Sequence, residues 1–209
     1  MVILSIFNAI IAYLIGSINF SVIYSKKFAG FDVREKGSKN AGATNMLRTV
    51  GKKAAILTLI CDILKGIVSI GIAILIGNII KNIDISLCVQ IAAICVVLGH
   101  TFPIFFGFRG GKGIATSLGV ILLINWQIGL ICLVFALAIM AFTRTVSIGS
   151  VAAAILFPIL TLFIGKEFFI IQGNYFVFSI ILAAFVIFNH RENIKRIMNK
   201  QENTISFEK

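Results

Sequence analysis

Four short polar segments hold most of the side chains with which this chain can do chemistry. The first, Gly37-Ser38-Lys39-Asn40-Ala41-Gly42-Ala43-Thr44-Asn45-Met46-Leu47-Arg48, is basic and rich in small donors inside an otherwise apolar sequence. Backbone N–H groups in glycine-rich turns converge on phosphate oxygens. Ser38, Asn40, Thr44 and Asn45 add neutral donors, and the Arg48 guanidinium grips phosphate through two parallel hydrogen bonds. A basic, glycine-rich loop also serves simply to set membrane topology, and the segment by itself is compatible with both roles. The second, Arg109-Gly110-Gly111-Lys112-Gly113, directly precedes an apolar run at Ile114. Glycines at a helix start open N–H groups to an anion that the helix dipole favours, and Lys112 adds a point charge; a plain anchored turn would use the same residues. It is not a Walker A loop, because Gly113 follows the lysine where Ser or Thr is required. The third, Asn189 to Arg196, places His190 and Asn193 on one face if the preceding helix continues through them. The fourth, Arg144 to Ser150, offers Ser147 and Ser150 as phosphate donors or as helix caps.

The elements that must position these segments are membrane helices. Of 209 residues, 59% are hydrophobic and mean hydropathy is +1.04, beyond the roughly 45–50% apolar content of soluble domains. Nineteen Lys and Arg against eight Asp and Glu give a net charge of +11. The charges lie between apolar runs and the aromatics are mostly Phe within them. Anionic lipid, topology and phosphorylated substrates therefore account for the charge better than nucleic acid does. Cys61, Cys88, Cys95 and Cys132 sit in apolar runs without C-x-x-C spacing and read as small buried hydrophobes. With His100 and His190 as the two imidazoles, no metal site is expected. Lys26-Lys27 follow the first apolar run instead of preceding it, so that run reads as a retained helix and not a cleaved signal.

Apolar runs predict helices near Val2–Ser25, Ala54–Ile76, Ile85–Gly99, Ile114–Phe142, Val146–Gly165 and Tyr175–Asn189. The fourth is too long for one span of about 20 residues and is interrupted at Asn125-Trp126-Gln127. Splitting it there puts Lys26 through Lys53, Arg109, Lys112, Arg144, Arg191, Lys195, Arg196, Lys200 and Lys209 on one side, and leaves Lys81 and Lys166 on the other. A single helix would scatter these cations over both sides, so the positive-inside rule favours the split. The expected fold is all-α: one domain, residues 1–209, with seven transmembrane helices, the N-terminus outside and the C-terminus cytoplasmic. All four polar segments then gather on the cytoplasmic side. Asp62 and Lys65, three apart within the second run, should pair inside the bundle or line a cavity. His100 reads as an interfacial residue at the end of the third helix.

Gly16-Ser17-Ile18, the 37–48 segment, Asp62-x-x-Lys65-Gly66, Gly99-His100-x-Phe102-Pro103, Gly110-Gly111-Lys112-Gly113-x-Ala115-Thr116 and His190-x-x-Asn193-Ile194-x-Arg196 together resemble the bacterial acyl-phosphate-dependent glycerol-3-phosphate acyltransferases. The motifs come in that family's order from Gly16 to Glu202. The resemblance implies transfer of a fatty acyl group from acyl phosphate to glycerol 3-phosphate, the first acylation of phospholipid synthesis, at the cytoplasmic face of a bacterial inner membrane. It implies catalytic and binding roles for Ser38, Arg48, Lys112, His190 and Asn193, glycerol 3-phosphate binding by Gly110, Gly111 and Gly113, and a structural role for Glu202. Two positions depart from the family pattern: Asn19 stands where Pro is usual, and Lys200 where Gly is usual.

Acyl phosphate is a mixed anhydride with its own leaving group, so neither cofactor nor obligate protein partner is expected, and positioning with electrostatics can supply the catalysis. The partners expected are acyl phosphate, glycerol 3-phosphate and the bilayer. A transporter of a phosphorylated solute or lipid would also need a basic, glycine-rich site. Against it, the cations cluster at one face and no paired halves with broken helices stand out.

Overall fold

A computed structural model describes residues 2–80, 84–164 and 173–204. Lys81, Lys166, Lys209 and Gly165, which entered the span assignment, lie outside the described residues. Two compact units make up the chain, Met1–Ile124 and Asn125–Lys209. The first contains α1 (Val2–Gly16), α2 (Phe20–Ala29), a 3-10 turn at Val33–Glu35, α3 (Ala43–Thr49), α4 (Lys52–Ile79), α5 (Ile85–Thr101), a second 3-10 turn at Ile104–Phe106, and α6 (Ile114–Ile124). The second contains α7 (Trp126–Thr143), α8 (Val146–Phe163), α9 (Phe176–Asn189) and α10 (Arg191–Met198). Among the described residues there is no strand.

The long fourth run divides where its polar interruption predicts. Asn125 leaves the helical conformation and its Oδ1 accepts a 2.9 Å hydrogen bond from the Ile128 amide, capping α7. The first run divides as well, which its apolar character did not announce. Asn19, at the position where the family pattern has Pro, caps α2 by accepting from the Val22 amide at 3.2 Å. The break leaves the Ile18 carbonyl outside any helical ladder, and the Lys65 ammonium donates to it at 3.0 Å.

In the first unit, α1 packs along α5, and α4 packs against α6, α5, α1 and α2. Two reciprocal glycine pairs set the closest contacts. A Cβ on Gly16 would strike the Val96 carbonyl and one on Gly99 the Tyr13 carbonyl; likewise Gly66 meets the Thr116 carbonyl and Gly119 the Ile63 carbonyl. Small residues let helix backbones touch where lipid removes the hydrophobic drive to associate. The exposure pattern is inverted relative to a soluble protein. Ile3, Ile6, Phe7 and Ile10 of α1 face outward while Asn8 is buried with its Nδ2 donating to the Cys88 carbonyl at 2.9 Å.

Five described stretches are long and apolar enough to cross a membrane: Ile3–Ala29, Lys52–Ile79, Ile85–Phe106, Trp126–Thr143 and Val146–Phe163. Phe176–Asn189 with Arg191–Met198 makes a sixth if the pair, bent by 59°, counts as one span. The remaining expected span, α6, has 11 residues. At 1.5 Å per residue it covers about 16 Å, against the roughly 30 Å of a bilayer core.

Candidate active site

In the first unit the Gly37–Arg48 segment is built around one amide. Asn45, on the first turn of α3, is 1% exposed. Its Oδ1 accepts from the Ser38 amide at 2.9 Å, and its Nδ2 faces the carbonyls of Val33, Lys36 and Asn40 at 3.0, 3.0 and 3.1 Å. A side chain so engaged draws a loop inward. Met46 anchors the same turn in a small core with Val22, Val33, Ala41 and Ala54. Asn45 was expected among the surface donors; the structure instead makes it the residue that positions Ser38. Ser38 and Arg48 are exposed, and Asn40 and Thr44 are half-buried.

Arg34, which the sequence alone did not single out, clasps the next loop. Its Nε and Nη2 donate to the two carboxylate oxygens of Asp32 at 2.9 and 2.7 Å, and its Nη1 donates to the carbonyls of Phe106 and of Arg109, the latter at 3.1 Å. The bond from Arg34 holds the Asp32 carboxyl below the usual carboxylate range despite partial burial, and the same bond raises the guanidinium. An Asp two residues before an Arg was the available signal.

The 109–113 loop meets the 37–48 segment directly, with the Ala41 amide donating to the Gly110 carbonyl at 3.4 Å. Its glycines are used differently from expectation. The Gly110 amide donates to the Thr101 carbonyl at 3.0 Å and the Gly111 amide to the His100 carbonyl at 3.1 Å. Those two N–H groups therefore fold the loop onto the end of α5 and do not face an anion. Glycine is required there by space, since a Cβ on Gly110 would meet the His100 carbonyl and one on Gly111 the His100 ring and the Ala41 carbonyl. Lys112 is half-buried, and Gly113 has a left-handed φ of +89° just before α6.

Beneath this loop lies a charged group that spacing only half predicted. Asp62 and Lys65 pair at 2.9 Å as expected. His100 joins them, its Nδ1 3.6 Å from the same Asp62 oxygen. It was expected at the interface and is 6% exposed.

In the second unit, Glu202 gathers three donors. Ser147 Oγ and Asn193 Nδ2 donate to Oε1 at 3.1 and 2.7 Å, and Arg196 Nε to Oε2 at 2.8 Å. Burial alone would raise this carboxyl. The bonds from Asn193 and Arg196, the Arg196 charge and the Ser147 hydroxyl outweigh it and keep Glu202 below the ordinary range. Lys200 adopts the left-handed φ of +56° as the chain turns out of α10. That conformation explains a Gly preference at this position, and Lys adopts it without losing the Glu202 contacts. Ser147 thus serves the carboxylate and neither caps α8 nor stands open to a ligand, while Ser150 is buried within α8.

The helix does not run on through His190. It bends there by 59°, so His190 is the joint and Asn193 belongs to α10 instead of sharing a face on one continuous helix. His190 is buried, and its Nδ1 lies 2.8 Å from the Val186 carbonyl. A carbonyl only accepts, so Nδ1 carries a hydrogen.

The family described as glycerol-3-phosphate acyltransferase matches residues 6–200. The chain belongs to that family. It is 43% identical over 201 residues to the glycerol-3-phosphate acyltransferase of Clostridioides difficile, covering 96% of this chain and 95% of that one. It is 41% identical over 198 residues to that of Fusobacterium nucleatum, covering 95% and 96%. The crystal structure of PlsY, an integral membrane glycerol 3-phosphate acyltransferase, in its glycerol 3-phosphate form superposes with a TM-score of 0.85 at 35% identity, over 97% of this chain and 96% of that one. Its lysophosphatidic acid form gives 0.83 at 34% identity, over 97% and 95%. The family membership agrees with the all-helical, apolar architecture.

Proposed function

We propose that the protein transfers a fatty acyl group from acyl phosphate to glycerol 3-phosphate, giving 1-acylglycerol 3-phosphate and inorganic phosphate. The proposed setting is the cytoplasmic face of a bacterial inner membrane, with seven spans and an external N-terminus. The observation that carries this reading is the junction of two cationic, glycine-rich segments in the first unit, joined from Ala41 to Gly110 and bearing Ser38, Arg48 and Lys112. Relatives named for glycerol 3-phosphate acylation, and a PlsY structure described as its glycerol 3-phosphate form, support the acceptor.

In this mechanism Arg48 and Ser38 hold one phosphate, with Asn40 and Thr44 as neutral donors nearby. Lys112 neutralises charge between the two substrates, and the 110–113 backbone shapes the glycerol 3-phosphate site. The acceptor's C1 hydroxyl attacks the acyl carbonyl, and the bond from the carbonyl carbon to the phosphate oxygen breaks. His190 binds glycerol 3-phosphate or takes the hydroxyl proton, which otherwise passes to the departing phosphate, whose second pKa near 6 suits it. Asn193, oriented by Glu202, stabilises the developing oxyanion. The acyl chain enters from the bilayer among apolar helix faces.

Purified protein in detergent, given palmitoyl phosphate and glycerol 3-phosphate with acyl-CoA and acyl carrier protein thioesters as competitors, should form lysophosphatidic acid from the acyl phosphate alone. Product from a thioester would overturn the donor. No product, with uptake of labelled glycerol 3-phosphate into vesicles, would favour a transporter. Arg48→Ala should abolish transfer while the protein stays folded; turnover at ordinary substrate levels would count against Arg48 as a binding residue.

A further inference from the structure

We propose that His100, oriented by the buried Asp62–Lys65 pair, is the positioning residue of the Lys112 loop. The substrate consequence rests on the acyl-transfer reading above; the loop geometry stands without it. Lys65 reaches the Ile18 carbonyl at 3.0 Å and Asp62 at 2.9 Å, so the carboxylate is tied to the break between α1 and α2. Asp62 in turn faces His100 Nδ1 at 3.6 Å. At that distance the two groups make no hydrogen bond, and the Asp62 carboxylate acts on the ring as a neighbouring negative charge that favours hydrogen at Nδ1.

His100 then touches the loop twice. Its carbonyl accepts the Gly111 amide at 3.1 Å, and its ring edge at Nε2 packs against the Gly111 backbone so closely that a Cβ has no room. That missing Cβ would also strike the Ala41 carbonyl, 2.6 Å away, so the ring sits at the point where the Ser38 and Lys112 segments meet. Asp62, Lys65 and His100 are 2%, 4% and 6% exposed. A buried ion pair is weak evidence for stability, because apolar residues of equal volume often do as well. Its connection to a glycine loop one residue from Lys112 gives it a different use: it transmits a fixed orientation to that loop.

The test compares His100→Leu with His100→Asn in the full chain in detergent, by hydrogen exchange and steady-state kinetics. Leucine should speed amide exchange over residues 109–113 by roughly tenfold or more while α4 keeps its protection. It should raise KM for glycerol 3-phosphate by about tenfold, with kcat and KM for acyl phosphate changed less than about threefold. Asparagine, whose amide nitrogen falls near the Nδ1 position, should restore most of both. If leucine prevents folding, His100→Gln replaces it, since its amide reaches toward Gly111 but has no donor at Nδ1. Unchanged exchange and KM in the leucine or glutamine variant would overturn the proposal, as would loss of protection spread evenly over all helices, or an asparagine variant no better than leucine. A parent without turnover would overturn the acyl-transfer reading and leave the exchange result to decide this one.

Discussion

Each unit sets polar or basic side chains around one carboxylate, but in opposite surroundings. Asp62 lies among helices α4 and α5, and its side chain and that of Lys65 are each 3% exposed. Glu202 binds Ser147, 55 residues away, together with Asn193 and Arg196, yet the Arg196 side chain remains 36% exposed. Charges in a dry interior attract strongly and are costly to leave alone, whereas water screens the second cluster. The first is thus an all-or-none device that orients a loop. The second is an adjustable one that orients Asn193 and holds the chain beyond α10 in place.

Removing one member should separate the two most sharply. Lys65→Met leaves Asp62 uncompensated and should cost about 3–5 kcal/mol, read as thermal unfolding in detergent, and adding Asp62→Asn should recover much of that loss. Equal losses in the single and double variants would break the contrast. Glu202→Gln keeps the shape and one acceptor, so a loss of about 1–3 kcal/mol is expected, nearer the lower end because of exposure on the Arg196 side. The smallest effect is with pH. Because Glu202 titrates below its ordinary range in the folded protein, its contribution is full above that range and is lost as pH falls through the lowered value. Amide protection over residues 199–204 should fade on acidification, and Glu202→Gln should remove that dependence. A Gln variant with the parent's pH profile would assign it elsewhere.

Much of the scaffold was legible because membrane helices are written in composition. The interruption at Asn125 was a polar residue with capping capacity in an apolar run, and it ends a helix where read. The break at 17–19 was missed because Gly, Ser, Ile and Asn all occur within transmembrane helices, and the deciding event is a single Asn19 cap. Arg34 and His100 were passed over for a related reason. Arg34 reaches the carbonyls of Phe106 and Arg109 and His100 meets the Gly111 backbone, contacts that leave no residue-type signature beyond the Asp32–Arg34 spacing. Asn45 carried the right chemistry and was assigned the wrong direction, because spacing cannot say whether a loop amide turns outward or in.

The sequence by itself determined the apolar segments, the division of the fourth run, the Asp62–Lys65 pair and the motifs that mark the family. These depend on neighbours within a turn or two and on bulk partition between water and lipid. Only the tertiary structure decided that the Gly110 and Gly111 amides bind carbonyls, that the last helix bends at His190, that Ser147 serves Glu202, and that His100 faces Asp62. Apart from the bend at His190, those outcomes rest on contacts between residues separated in the chain, from about ten positions for the Gly110 and Gly111 amides to 55 for Ser147 and Glu202. There a shift of an ångström decides which donor meets which acceptor, and a hydrogen bond fails beyond about 3.5 Å.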